Sequence, residues 1–155
     1  MNIIRQLVLS VYLLLTIHTA FAQQLQHINP SELPVSKSYT QVVVVAPGSR
    51  MAYISGQVSA NTKGEIMHKG NFRAQTTQVY ENLKTALAAV GATFADVVKL
   101  TTFVVNTDAD KIGIVREVRS QFYTAPNPPA STYVGVQGLY DKDVMIEIEA
   151  IAVLK

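Results

Sequence analysis

Two glutamates spaced two apart, Glu147 and Glu149, stand in the alternating segment from Val144 to Val153. Period two in a strand puts both carboxylates on one face, where such a group can act as a general base toward water. Two arginines, Arg116 and Arg119, lie three apart in a helical stretch. A planar guanidinium grips a carboxylate with two charge-assisted hydrogen bonds. Ser55-Gly56 falls inside a strand pattern, where glycine either lets a ligand approach the main chain or marks a bend between two close backbones. Each of these also has a plain reading: Glu147 and Glu149 as a solvated pair, and Arg116, Glu117 and Arg119 as a charged helix face in water.

Other chemistries find no residues to carry them. The chain has no cysteine, so thiol nucleophiles and thiolate metal sites are excluded. His27 and His68 are far apart and lack carboxylates at ligand spacing, so no metal is expected. No Ser-His-Asp set and no glycine-rich phosphate loop is recognisable, and no cofactor is implied. Of thirteen basic residues Arg5 lies in the leader, leaving twelve against eleven acidic ones and a net charge of +1. With neither a basic stripe nor interleaved aromatics, no nucleic-acid partner is expected.

The elements that must position these residues follow from pattern. Arg5, the apolar run from Leu7 to Ile17 and Ala20-Phe21-Ala22 read as a signal peptide over residues 1–22. The run is shorter than the roughly 20 apolar residues of a membrane span, and an uncleaved anchor is the competing reading. The expected mature chain runs from Gln23 to Lys155, periplasmic or secreted, with no stable membrane association after cleavage. Residues 23–38 read as a linker or arm, and 39–155 as one domain. Gln41 to Ala46 and Met51 to Val58, joined at Pro47-Gly48, predict an antiparallel hairpin. Val79, Leu83, Ala86, Leu87 and Val90 form one stripe of a helix from Asn71 to Val90, capped by Asn71 and stopped by Gly91. A strand follows over Val97 to Val105. Asp108 and Asp110 open a second helix with the face Ile112, Val115, Val118 and Phe122, which Pro126, Pro128 and Pro129 forbid from continuing. Thr132 to Gln137 and Val144 to Val153 complete the order ββαβαββ, an α+β fold with two helices on one face of a single mixed sheet.

The run PASTYVGVQGLYDKDVMIEIEAIAV (Pro129 to Val153), together with YISGQVS (Tyr53 to Ser59), resembles the RidA (YjgF) family over about Tyr39 to Leu154. The resemblance implies a chorismate mutase-like RidA fold, a homotrimer, and clefts at the subunit boundaries that hold a small-molecule ligand. Many members of that family are imine/enamine deaminases, hydrolysing reactive imines to ketones and ammonia. It further implies that Glu147 or, as the second choice, Glu149 orients the attacking water, and that Tyr39, Ser55 and Gly56 line the cleft. The usual motif, Pro-Ala-Arg-Ser/Thr, places an arginine on the substrate carboxylate; here the position is Ser131, and Tyr133 stands where many members have cysteine. Serine offers one neutral hydrogen bond and no charge, and losing a bond to a charged group costs about 1.5–3 kcal/mol. A cation from the second helix, Arg116 or with a one-turn shift Arg119, would compensate. Three functions stay open at this point: a C=N hydrolase, a non-catalytic exported trimer that binds a small metabolite, and a stabilising or chaperone-like surface protein with vestigial pockets.

Overall fold

A computed structural model describes residues 25–124 and 126–155, so the proposed leader lies outside the described residues. The chain enters through β1 (Gln26–Ile28), which pairs antiparallel with β2 (Val42–Val44) in a small two-stranded sheet. The arm thus contributes a strand. Its polar side chains tie the pairing down: the Gln41 amide donates to Asn29 Oδ1 at 2.9 Å, and His27 Nδ1 lies 3.2 Å from Thr40 Oγ1. The hairpin expected between β2 and β3 (Arg50–Gln57) is not formed. The turn itself is present, with Gly48 at φ +79° and the Ser49 hydroxyl donating to the Ala46 carbonyl at 2.7 Å. The strands leaving it take different partners, β2 with β1 and β3 with the C-terminal strand β6 (Ile146–Leu154).

α1 (Phe72–Ala89) starts where Asn71 accepts from the Ala74 amide at 3.0 Å. It ends at Gly91, φ +72°, with the Ala92 amide returning to the Leu87 carbonyl at 2.9 Å, a left-handed C-terminal cap. Val79, Leu83 and Leu87 are fully buried as their spacing predicts, each contributing roughly 1.5–3 kcal/mol of apolar burial. Val90, the last residue of the predicted stripe, is exposed because the helix has already ended there. β4 (Val97–Val105) follows a short 3-10 turn. α2 (Ala109–Phe122), capped by Asp108, then carries the chain across to β5 (Ala130–Val136), which runs parallel to β4. The final strand inserts between its elders, giving the order β3-β6-β4-β5 with β5 at one edge.

Both helices cover the same face. Leu100, Val104, Ile146, Ile148, Ala150 and Ala152 from the sheet pack with Tyr80, Leu83 and Leu87 of α1 and Val115 and Val118 of α2. Gln75, fully buried in α1, locks the helix to the approach to β6. Its Nε2 donates to the Asp143 carbonyl at 2.7 Å and its Oε1 accepts the Met145 amide at 2.9 Å. This is the α+β arrangement the sequence predicts.

Candidate functional site

Residues that face one another across a ladder point to the same side of the sheet. Ser131 stands beside Leu100 and, one strand further, Ala150, while Tyr133 stands beside Thr102 and Ile148. Leu100, Thr102, Ile148 and Ala150 are all buried, so Ser131 and Tyr133 lie on the helix-covered side, at the free edge. Tyr133 packs its ring against the core and brings its hydroxyl within 2.8 Å of Thr107 Oγ1. Burial raises the phenol above its usual range, and the Thr107 bond offsets part of the effect.

The second helix delivers a cation to this edge, and it is Arg119. Its Nη1 donates to Ser131 Oγ at 3.3 Å, and its guanidinium carbon sits 5.3 Å from the centre of the Tyr123 ring. Its Nη2 is buried and has no partner among the described residues; the Tyr80 hydroxyl is likewise buried and unpartnered. Burial pushes the Tyr80 phenol up to about 12, and the nearby Arg119 charge works the other way. Arg116, the first choice from sequence, is exposed, and among the described residues no hydrogen bond joins it to Ser131. The two arginines are three residues apart and share a helix side, so both line one crevice of about 150 Å³ with Lys37, Ser38, Ser120 and Tyr123. Arg119 is one turn nearer the start of β5, which decides which of them reaches the serine. Tyr39 is carried to the same edge: the neighbouring Thr40 amide donates to the Pro129 carbonyl at 3.0 Å, and the Thr40 hydroxyl donates to that of Pro128.

Glu147 is on the other face. It stands opposite Phe103, which stands opposite Val134, all pointing away from the helices. The carboxylate lies directly over Gly56: a Cβ there would sit 1.8 Å from Oε1 and 2.6 Å from Cδ. Ile54 faces Ala150 and Gln57 faces Ile148, so Ser55 and Gly56 together oppose the single residue Glu149. That is a β-bulge. The strand therefore does bend here, and the missing side chain leaves the space that the Glu147 carboxylate fills. Glu149 shares the face but is exposed beside Thr101. Among the described residues no hydrogen bond or ion pair engages the Glu147 carboxylate. The predicted residues thus form two groups: Tyr39, Ser131, Tyr133 and the arginines at the β5 edge, and Ser55, Gly56 and Glu147 on the open face. Sequence reasoning missed Lys37, Tyr80, Thr107 and Tyr123, whose contributions depend on how loops and helix ends fold back onto the edge.

A sequence model of the family described as Endoribonuclease L-PSP matches residues 30–154. The chain is 40% identical over 106 residues to the 2-iminobutanoate/2-iminopropanoate deaminase of Escherichia coli K12, spanning 66% of this chain and 79% of the relative. It is 39% identical to protein DfrA of Myxococcus xanthus over 115 residues, 74% of this chain and 84% of the other. This is a RidA-family protein. A member of the Rid family from Yersinia pestis, YyfB, superposes with a TM-score of 0.77 at 37% identity, covering 84% of this chain and 98% of that one. RidA from an Antarctic Psychrobacter gives 0.59 at 32% identity over 83% and 99%. The α+β RidA fold expected from the C-terminal motif is therefore the fold of this chain, with serine at position 131 of the Pro-Ala-Ser-Thr segment.

Proposed function

We propose that this RidA-family chain hydrolyses the C=N bond of small imines, with Glu147 as the base, in clefts built between copies of the chain. The observation that carries the reading is the Glu147 carboxylate, seated over the bulge glycine with no described cation or donor claiming it. Relatives named as 2-iminobutanoate/2-iminopropanoate deaminases support the same chemistry. Glu147 accepts a water proton as the oxygen bonds to the imine carbon, and the C=N π pair moves to nitrogen, which takes that proton. A proton from the new hydroxyl follows the same route, the C–N bond breaks, and ammonia leaves the ketone.

A second copy is needed because the two groups of residues lie on opposite faces of one sheet. The open face is also partly apolar: Tyr53 is 78% exposed, beside Ile151, with Phe103 and Val134 further across. A neighbour that covers this face with its β5 edge would bury these side chains and bring Ser131 and Tyr133 against Glu147. The homotrimer that family resemblance implies meets that requirement. Export through a leader ending at Ala22 belongs to the same reading and rests on the sequence pattern alone.

The test is imine loss from freshly generated 2-iminobutanoate and 2-iminopropanoate in competition with semicarbazide, for the mature chain and for Glu147→Gln, with the native mass measured in parallel. Turnover that Glu147→Gln abolishes, in a protein of three chains, is the expected result. A stable monomer, or turnover indifferent to Glu147, would refute it. The serine at position 131 favours a second reading, a trimer that binds a small metabolite without turning it over; a silent parent that still binds 2-oxobutanoate is its signature.

A further inference from the structure

We infer that Arg119, reaching the edge of the sheet from α2, is the carboxylate anchor of this site, with Ser131 as its hydroxyl partner, in place of the arginine that position 131 lacks. The inference rests on the imine-hydrolase reading and supplies what that reading lacks, a charge for the substrate's anionic end.

Arg119 is poorly matched to what surrounds it. Its bond to Ser131 is long, 3.3 Å, and made to a neutral oxygen, while the buried Nη2 has no acceptor at all among the described residues. A buried guanidinium N–H left unpaired is costly, so such groups are found with acceptors. No described carboxylate neutralises it. The nearest acid on the helix, Glu117, is committed to Arg73 through two bonds of 2.7 and 2.8 Å on another side. Every charged residue lining the adjoining crevice, Lys37, Arg116 and Arg119, is basic. A carboxylate entering there can take N–H bonds from Arg119 and an O–H bond from Ser131, whose oxygen accepts from the guanidinium while its hydrogen is free to donate. The Tyr123 ring, its centre 5.3 Å from the guanidinium carbon, lies within cation–π range of Arg119. Lys37 and the exposed Arg116 make no such contact and serve to draw anions toward the crevice.

The experiment compares two substrates in four proteins. 2-Iminobutanoate carries the carboxylate and butan-2-imine does not; the proteins are the parent, Arg119→Gln, Arg119→Lys and Arg116→Gln, each checked for its melting temperature and native mass. Arg119→Gln should raise KM for 2-iminobutanoate about 10- to 100-fold, the loss of one charge-assisted contact, and leave butan-2-imine within about twofold. Arg119→Lys should recover part of the loss, and Arg116→Gln, which removes a crevice charge that bonds nothing at Ser131, should raise KM for 2-iminobutanoate by clearly less than Arg119→Gln does. Equal losses on both substrates in a correctly assembled Arg119→Gln, or no loss on either, would overturn the assignment while leaving Glu147 chemistry intact. If the parent turns over neither substrate, the hydrolase reading fails on its own, and titration with 2-oxobutanoate decides the anchor. Binding by the parent that Arg119→Gln loses upholds it; no binding by the parent, or binding that survives Arg119→Gln, refutes it.

Discussion

Replacing Gly56 with alanine should disable the site while sparing the fold. The added methyl would lie 1.8 Å from Glu147 Oε1, 2.6 Å from Cδ and 2.8 Å from Cγ, so its three nearest atoms all belong to one flexible side chain. Ordinary carbon–oxygen contact needs about 3.4 Å, so the carboxylate must retreat by roughly 1.5 Å, by turning about its own side-chain bonds. Off-rotamer strain of that kind costs about 0.5–1.5 kcal/mol, a shift of a few degrees in melting temperature for a domain of this size. A base misplaced by about 1 Å loses on the order of 100-fold in rate, or about 2.7 kcal/mol of barrier. The measurement is kcat and KM for imine loss in competition with semicarbazide, beside a thermal melt. The expected result is kcat down about 100-fold with KM within about threefold and the melt nearly unchanged. The double variant Gly56→Ala/Glu147→Gln should be no slower than Glu147→Gln alone, because both changes remove the same carboxylate from its place. A Gly56→Ala protein that keeps kcat within about threefold of the parent would refute the idea that the glycine exists to seat Glu147.

Three further outcomes follow from the same structure. Glu147→Gln and Arg119→Gln chains, each slow alone on 2-iminobutanoate held well below the parent's KM, should regain about a quarter of parent activity when co-assembled one to one, since about one cleft in four then receives an intact residue from each of two neighbours. A mixture no faster than the mean of its parts would place both residues in one subunit's site. The Asp96 carboxyl is raised by burial, but bonds from the Thr93 amide and hydroxyl, both 2.9 Å, and the Lys155 ammonium outweigh this and hold it below its usual value. Because its folded-state value lies below the unfolded one, its stabilisation is fully present above the unfolded value of about 4 and is lost as pH falls below that through the lower folded-state value. Thermal melts from pH 5 to pH 2 should therefore fall more steeply for the parent than for Asp96→Asn; parallel curves would remove Asp96 from the acid response. If the proposed leader is cleaved on export, the chain recovered outside the cytoplasm should have an intact mass that starts at Gln23, and a mass that includes residues 1–22 would refute cleavage.

Much of this architecture is legible in local pattern. The stripe Val79, Leu83, Leu87 and the flanking Asn71 and Gly91 specify α1 to within a residue at each end, since capping and periodicity act over a single turn. Alternation in the last strand likewise separates Ile146 and Ile148, buried, from Glu147 and Glu149 on the opposite side. The pairing of β2 was not legible in this way. A β-branched run beside Pro47-Gly48 specifies an extended segment and a turn, but the strand's partner depends on Asn29 and His27, about a dozen residues upstream. The choice between Arg116 and Arg119 stayed open in the sequence for a related reason. Spacing three apart puts both on one helix side, and only the docking of α2 against the start of β5 selects the one that reaches Ser131.

The sequence by itself determined the class of fold, the helix limits, the absence of thiol chemistry, the RidA resemblance and the candidate acid at Glu147, all of which depend on residue type and short-range period. Only the tertiary structure decided that Gly56 is a bulge residue lying under that acid, that Arg119 is the arginine at the serine, and that Glu147 and Arg119 lie on opposite sides of one sheet. Those are matters of long-range register and docking. Sheet order β3-β6-β4-β5 joins strands far apart in the chain, and no local pattern records which strand will lie at the edge.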